Sequence, residues 1–241
     1  MVTFTHLTRD MWITVLTGAG VSAASGVPTF RGAGGLWRTH RATDLATPQA
    51  FARDPLLVWE FYDYRRQLVA GCQPNAAHTT LVDLERAFSR FTLITQNVDG
   101  LHQAAGSENV VNLHGELYGM HCTRCDYTTI DRTVPLPALP PHCPRCNALL
   151  RPSVVWFGEN LPMDALSAAW QAAEHADLFL VIGTAGLVYP AAQLPEVARQ
   201  HGAYVIEFNL EQTPVSAIAN EVILGPADHT LPRWWAEHRP T

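Results

Sequence analysis

Two closely spaced pairs of cysteines restrict this chain more than any other feature of its sequence. The pair Cys122 and Cys125 is separated from the pair Cys143 and Cys146 by 17 residues. This spacing is typical of zinc ribbons, in which two tight turns supply four thiolates at about 2.3 Å from the metal. Four thiolates leave no coordination position for water, so we expect Zn²⁺ in a structural role. A redox pair and chance spacing are the alternatives, and Cys72 is expected to stay unpaired.

Composition limits the class of protein further. The chain has 241 residues, of which 47% are hydrophobic and 16% charged, which is enough for a sizeable core. The formal net charge of −6 and the lack of a dense Lys/Arg run disfavour binding to nucleic acid through phosphates. The N-terminus lacks a signal-peptide pattern, and no stretch approaches the roughly 18 apolar residues that span a bilayer. We therefore expect a cytoplasmic monomer with neither nucleic-acid nor membrane partners.

Short apolar runs without polar alternation predict strands that are buried on both faces. These runs are residues 12–17, 91–95, 178–182 and 204–208. Segments with helical character lie between and after them, at residues 55–70, 77–87, 164–175 and 191–200. Strands alternating with helices predict an α/β fold, with a Rossmann-like parallel sheet and helices on both faces.

The alternation stops where prolines crowd the segment that carries the paired cysteines. We interpret residues 118–152 as a small zinc-ribbon domain inserted into a larger one. The Rossmann-like domain is then discontinuous and consists of residues 1–37, 72–117 and 153–241. Residues 38–71 are predicted to form a helical excursion from it.

A glycine-rich run from Gly18 to Gly26 follows the first predicted strand directly. Glycines at this place let the backbone approach a phosphate, and a following helix N-terminus supplies amide donors. The run therefore suggests a dinucleotide or another phosphorylated ligand. Because its spacing departs from G-x-G-x-x-G and no acidic residue marks the end of the second strand, a plain tight turn is the alternative.

The longer run from Gly18 to Gly32 resembles the sirtuin signature, and further matches follow in the family's order along almost the whole chain. They are Thr95-Gln96-Asn97-Val98-Asp99-Gly100-Leu101-His102, His114-Gly115, the cysteine quartet, Val155-Trp156-Phe157-Gly158-Glu159, Gly183-Thr184, Pro190-Ala191-Ala192 and Asn209-Leu210-Glu211. The resemblance implies an NAD-dependent protein-lysine deacylase. NAD and an acylated-lysine protein or peptide would meet in the cleft between the two domains, and the products would be free lysine, nicotinamide and O-acyl-ADP-ribose.

The resemblance also implies a role for individual residues. Those expected to bind the cofactor are Gly18, Ala19, Gly20, Ser22, Phe30, Arg31, Trp37, Gln96, Asn97, Asp99, Gly183, Thr184, Ala185, Asn209, Glu211 and Ala227. His114 is implied as the general base that activates a ribose hydroxyl. Ala185 replaces the serine usual in the family, which removes a hydrogen bond with a net contribution of about 0.5–1.5 kcal/mol.

A second set of residues bears on the acyl group. The segments Asp44–Pro48 and Phe61–Arg66, which contain Ala46, Tyr62 and Arg65, resemble the corresponding segments of class III sirtuins. These enzymes remove succinyl and malonyl groups. On a helix Tyr62 and Arg65 lie at i and i+3, so both side chains can reach one pocket, where a guanidinium and a hydroxyl bind a carboxylate. Ala46 is small and leaves the end of that pocket open.

The remaining expected substrate contacts lie in the segment of Val155, Trp156, Phe157 and Gly158, which resembles the strand with which sirtuins pair the substrate backbone. Three other functions stay open at this point. The chain could act mainly as a protein-lysine deacetylase, it could be a mono-ADP-ribosyltransferase, or it could be a zinc-ribbon interaction module without catalytic activity.

Overall fold

A parallel sheet of six strands forms the centre of the protein in a computed structural model, which describes residues 7–29 and 36–240. Across all sheets of the described residues, the strands are β1 (Trp12–Thr17), β2 (Leu36–Trp37), β3 (His40–Arg41), β4 (Arg90–Thr95), β5 (Val110–Asn112), β6 (Gly115–Cys122), β7 (Thr128–Ile130), β8 (Leu150–Val154), β9 (Leu178–Ile182), β10 (Tyr204–Asn209) and β11 (Glu221–Leu224). The six in the central sheet are β1, β4, β5, β9, β10 and β11.

Helices cover both faces of this sheet. The α-helices are α1 (Ala42–Leu45), α2 (Pro48–Arg53), α3 (Pro55–Ala70), α4 (Ala76–Ala87), α5 (Leu101–Ala105), α6 (Met163–His175), α7 (Leu194–Gln200) and α8 (Ala227–His238), and 3₁₀ helices span Ala19–Ser25, Ala191–Gln193 and Pro214–Ala217. Over the described ranges, no helix combines the length and apolar character needed to cross a bilayer.

The predicted strands and helices are confirmed with small shifts in their bounds. Strands β1 and β9 have the predicted bounds, whereas β4 and β10 are each one residue longer. The predicted helices at 55–70, 77–87 and 164–175 are α3, α4 and α6. The segment predicted as one helix over 191–200 starts as a 3₁₀ turn and becomes α-helical at Leu194.

The strand order of the large sheet is β5-β4-β1-β9-β10-β11, and every neighbouring pair is parallel. From β1 the chain adds strands on one side and then returns to add β9 to β11 on the other. This is the Rossmann order, and ligands of open α/β sheets bind outside the carboxyl ends of the strands where the order reverses. The predicted fold class is confirmed, and the crevice lies beyond the ends of β1 and β9.

The loops that follow β1 and β9 are in direct backbone contact. The N–H of Gly18 donates to the carbonyl of Ile182 at 3.0 Å, and the N–H of Gly20 donates to that of Gly183 at 2.8 Å. A Cβ atom on Gly20 would lie 2.7 Å from the Cα of Gly183. These glycines are therefore required by loop-to-loop packing. Gly18 precedes the short 3₁₀ helix Ala19–Ser25, and Gly20 lies in its first turn.

A small module that contains the cysteines has its own antiparallel sheet, in the order β7-β6-β8. Its apolar side chains, among them Met120, Leu136 and Leu150, are buried in one cluster with Trp59 of α3. The insert therefore has a hydrophobic core that it shares with the helical excursion, in addition to the cysteine cluster.

Helix α3 is bonded to this module through one of its faces. The contacts are Trp59 Nε1 to the carbonyl of Leu150 at 2.8 Å, the N–H of Leu136 to Asp63 Oδ1 at 2.9 Å, and Arg66 Nη2 to the carbonyls of Asp131 and Thr133. Positions 59, 63 and 66 share a face because the helix repeats about every 3.6 residues. The helix begins at Pro55 and is capped by Asp54, whose side chain accepts from the N–H of Leu57 at 2.9 Å.

The glycine contact between the two loops leads to a stability prediction. Gly20→Ala should lower the free energy of unfolding by about 1–3 kcal/mol, because the new methyl group overlaps the backbone of Gly183. Gly71→Ala is the matched control, since its Cβ would lie 3.6 Å from the nearest atom, the carbonyl oxygen of Leu68, and its backbone is already helical. Chemical denaturation of both variants measures the difference, and equal stabilities would contradict the packing argument.

Candidate functional site

The four paired cysteines form one cluster, as their spacing predicts. Their sulfur atoms all lie within 4.8 Å of one another. The Sγ atoms of Cys122 and Cys146 are 3.4 Å apart, and those of Cys125 and Cys143 are 3.6 Å apart. Tetrahedral zinc with Zn–S bonds of about 2.3 Å requires about 3.8 Å between sulfurs. The arrangement therefore fits one structural zinc ion, and Cys72 lies outside the cluster.

His114 lies in the turn between β5 and β6, close to the ends of the central strands. Its Nδ1 is 2.9 Å from the carbonyl oxygen of Gln96. A carbonyl only accepts, so Nδ1 carries the hydrogen and Nε2 keeps a lone pair. Burial lowers the pKa of His114 below its usual range, and the bond to Gln96 opposes that shift. The ring is therefore a neutral base at neutral pH.

Polar side chains from the loops after β1 and β4 are bonded to each other. Asn97 Nδ2 donates to the carbonyl of Gly18 and to Ser22 Oγ, both at 3.2 Å. Ser22 Oγ donates to Asp99 Oδ2 at 2.8 Å, and the N–H of Leu101 donates to Oδ1 of the same carboxylate at 2.9 Å. The predicted cofactor residues Ser22, Asn97 and Asp99 thus form one network with fixed orientations.

Two buried histidines support this network, and the sequence reasoning did not single them out. Burial lowers the pKa of His78 to about 4 and that of His102 to about 3, so both rings are neutral at physiological pH. His78 Nε2 lies 3.4 Å from Ser22 Oγ, and His102 Nε2 lies 3.0 Å from Thr17 Oγ1. The available signal was the position of His78, which precedes Leu81 by three residues on the buried face of α4.

The loops after β9 and β10 bring together further residues of the predicted cofactor set. Gln96 Nε2 donates to Thr184 Oγ1 at 2.8 Å, and Asn209 Nδ2 donates to the carbonyl of Thr184 at 2.7 Å. Gly183 contacts Gly20 as described above. Glu211 is exposed two residues after the end of β10. These residues therefore border the same crevice as the glycine run.

The other predicted cofactor residues are placed as follows. Phe30 and Arg31 lie outside the described residues. Ala19 and Ala185 are half-buried in the loops after β1 and β9, and Ala227 is the buried first residue of α8. Trp37 is buried against Phe61, with ring centroids 5.6 Å apart, in the same apolar cluster as Ala46 and Tyr62. Trp37 is thus grouped with the predicted acyl residues.

Of the residues predicted for the acyl group, Ala46 and Tyr62 belong to one buried apolar cluster, and Arg65 lies one helical turn after Tyr62. Ala46 and Tyr62 are buried, and Arg65 is half-buried. Burial raises the pKa of Tyr62 to about 12, against the opposing charge of Arg65. Burial likewise lowers the pKa of Arg65, while Tyr62 and Asp99 oppose that shift. The guanidinium is therefore partly desolvated between the predicted acyl residues and the polar network.

The segment from Val155 to Gly158 connects these residues with His114. The N–H of Val155 donates to the carbonyl of His114, and the N–H of Phe157 donates to that of Ala46, both at 2.9 Å. Strand β8 ends at Val154, so this segment is not itself a strand of the protein. It turns at Gly158, which has φ of +89°, and the Glu159 side chain accepts from the N–H of Trp156 at 2.9 Å.

The fold and the site define a Rossmann-type protein that has a polar crevice where its strand order reverses and a separate zinc-ribbon-type module. The chain belongs to the Sir2 family, since the Sir2 family model matches residues 18–190. The family resemblance of the sequence motifs is thereby confirmed.

Relatives that are named for an activity agree with this assignment. The chain is 55% identical over 212 residues to an NAD-dependent protein deacylase of Aquifex aeolicus, covering 88% of this chain and 89% of that protein. It is 48% identical to one of Thermococcus kodakarensis, covering 94% and 90%. These proteins are similar to the chain along nearly their full lengths.

Solved structures of Sir2 proteins superpose closely. One is a Sir2 homologue in complex with NAD, with a TM-score of 0.89, 46% identity, and coverage of 94% of this chain and 88% of that one. Another is a Sir2 complex with a p53 peptide and NAD⁺, with a TM-score of 0.82, 33% identity, and coverage of 94% and 92%. The backbone described above is therefore similar to that of proteins whose structures were solved with these ligands.

The cysteine cluster leads to a prediction about metal and stability. Cys143→Ser should reduce the bound zinc well below one ion per chain, because the serine hydroxyl replaces a thiolate ligand. The melting temperature should fall by about 5 °C or more, since each 1 kcal/mol lost lowers it by about 2–4 °C in a chain of this size. Metal analysis and thermal unfolding measure both effects. Cys72→Ser is the control, and equal zinc contents in the two variants would contradict the assignment.

Proposed function

We propose that the chain is an NAD-dependent protein-lysine deacylase. One observation carries the proposal, which is that His114 bonds to the predicted cofactor loop and to the predicted substrate segment at once. Its ring binds the carbonyl of Gln96, and its own carbonyl accepts from Val155. The curated relatives cited above are named for this activity.

The residues around the crevice supply a site that fits NAD by the chemistry of its donors. Asn97, Asp99 and Ser22 offer oriented amide, carboxylate and hydroxyl groups for the ribose and the nicotinamide amide. Thr184 and Asn209 border the crevice beyond β9 and β10, where we assign the adenosine half. On the strength of the family resemblance, Glu211, Phe30, Arg31 and the other residues of the predicted set are also proposed to bind the cofactor. When bound, NAD supplies the ADP-ribosyl group that accepts the acyl unit as nicotinamide leaves.

His114 is proposed as the general base at its Nε2 atom. The bond from Nδ1 to Gln96 fixes the tautomer, so that Nε2 is the atom able to accept a proton from a ribose hydroxyl. The lowered pKa keeps this atom unprotonated at neutral pH. The same bond holds the ring in one orientation, which reduces the reorganisation needed when the proton moves.

Replacement of His114 tests the activity and the base together. In His114→Tyr, turnover of a succinyl-lysine peptide with NAD should fall by about 100-fold to 10,000-fold, the usual contribution of a general base. Because burial lowers the pKa of His114 below 6.5, wild-type kcat/KM should fall on the acid side with a midpoint below pH 6.5. With the wild-type protein, mass spectrometry should detect nicotinamide, the peptide with its lysine deacylated, and O-acyl-ADP-ribose. None of these products should form when NAD is left out.

The control variant is His201→Tyr, which changes an exposed ring whose Nδ1 also lies 2.9 Å from a backbone carbonyl, that of Val197. It should retain wild-type turnover. Full activity of His114→Tyr would exclude the proposed base. ADP-ribose that stays attached to protein, with no deacylated lysine, would instead identify an ADP-ribosyltransferase.

We further propose that the preferred acyl groups end in a carboxylate, as in succinyl- and malonyl-lysine. The support is the cationic Arg65 one helical turn after Tyr62, whose phenol its charge affects, together with the small Ala46 in the same apolar cluster as Tyr62. A carboxylate compensates the partly desolvated guanidinium and accepts from both donors. An acetyl group offers no charge for Arg65 to bind.

Arg65→Met tests this preference. Hydrogen bonds to charged groups contribute about 1.5–3 kcal/mol each, so kcat/KM for a succinyl-lysine peptide should fall by about 10-fold to 100-fold. The value for the acetyl-lysine peptide should fall far less, because that substrate lacks the carboxylate. Rates on acetyl, malonyl, succinyl and glutaryl peptides provide the measurement. Arg53→Met, at an exposed arginine of α2, is the control, and an equal loss on all four peptides would refute the assignment.

A further inference from the structure

The hydroxyl of Tyr62 accepts a hydrogen bond from the indole of Trp156. Trp156 Nε1 and Tyr62 Oη are 2.8 Å apart, and Trp156 is only 2% exposed and Tyr62 only 3%. An indole N–H can donate but cannot accept, so the direction of this bond is fixed by chemistry. Tyr62 is thus the acceptor, and its own hydroxyl hydrogen must point to another group.

The neighbourhood of Tyr62 limits where that hydrogen can be donated. Arg65 follows by one helical turn, and its charge acts on the phenol. A guanidinium has donors only, so it cannot receive the hydrogen. Since burial raises the pKa of Tyr62 to about 12, the hydroxyl keeps its hydrogen throughout the working pH range. The Tyr62 hydroxyl therefore still has its own hydrogen to donate, and a pure acceptor such as a carboxylate can receive it.

An ion pair holds the indole in its position. Arg151 donates to both carboxylate oxygens of Glu159, at 2.7 and 2.9 Å, and this pair is largely shielded from solvent. The Cζ of Arg151 lies 3.6 Å from the centroid of the Trp156 ring. Glu159 also accepts from the backbone N–H of Trp156 at 2.9 Å. The ring and the backbone of Trp156 are thus fixed by the same two charged residues.

We propose that Trp156 is a specificity-determining positioning residue, whose indole N–H commits the Tyr62 hydroxyl to donate to the acyl group. Trp156 acts through Tyr62 and selects acyl chains that end in a carboxylate. The inference rests on the proposed deacylase function and on its proposed preference for acidic acyl groups. It adds a residue 94 positions from Tyr62 to the determinants of that preference.

Trp156→Phe tests the role, because phenylalanine keeps an aromatic ring and removes the N–H. The ratio of kcat/KM for succinyl-lysine to that for acetyl-lysine should fall by about 3-fold to 10-fold, the range of one neutral hydrogen bond. A purely structural role for the indole would lower both rates together and leave the ratio unchanged, which would overturn the inference. The KM for NAD should change little.

A double-mutant cycle with Tyr62→Phe gives the sharper result. If Trp156 acts through the hydroxyl, adding Trp156→Phe to Tyr62→Phe should not lower the ratio further, whereas independent roles would add. Arg151→Lys is the second variant, in case Trp156→Phe folds poorly. It keeps the charge beside Glu159 but loses the two-pronged bond and the planar stack, and it should lower the ratio in the same direction.

The wild-type rates separate the two possible failures. If wild-type enzyme prefers succinyl-lysine and the ratio is unchanged in Trp156→Phe and in Arg151→Lys, only the positioning role is wrong. If wild-type enzyme shows no preference for acidic acyl groups, the proposed selectivity fails and this inference fails with it. Additive losses in the double-mutant cycle would assign Trp156 a separate contact.

Discussion

The parallel pairing of β1 with both β4 and β9 is the constraint on which the site depends. Thr17, the last residue of β1, is in register with Thr95 on one side and Ile182 on the other. The three strands therefore end at one level, and each continues into a loop that carries predicted cofactor residues. Thr17 Oγ1 bonds to Thr95 Oγ1 at 2.9 Å, which joins two of these strand ends directly. Residues far apart in the sequence thus meet in a single crevice.

The central strands could be predicted from the sequence because they are buried on both faces and read as continuous apolar runs. Strands β5 and β11 could not, since β5 is three half-buried residues and β11 has no fully buried one. They lie at the two edges of the sheet, where pairing with β4 and β10 decides their conformation rather than their own composition. The cysteine spacing predicted the cluster of four cysteines, because two short turns determine the geometry of each pair locally.

The candidate site was less accessible to the same reasoning. The glycine run was interpreted as a place for backbone to approach phosphate, but the contact with Gly183 alone already excludes a side chain at Gly20. The helical period placed Tyr62 and Arg65 together, yet nothing in the sequence pairs Tyr62 with Trp156. The roles of His114, Asn97 and Asp99 followed from the family resemblance, since their meeting depends on turns that separate elements bring together.

Helix α3 presents its bonds to the cysteine module on one face, through Trp59, Asp63 and Arg66, and the predicted acyl residues Tyr62 and Arg65 on the adjacent face. A displacement of this helix would therefore move its bonds to the cysteine module and the side chains proposed to bind the acyl group together. Thermodynamic reciprocity then applies, because a coupling between two binding equilibria has the same magnitude in either direction. If bound zinc strengthens the binding of an acyl chain by some free energy, a bound acyl chain must strengthen the binding of zinc by the same amount.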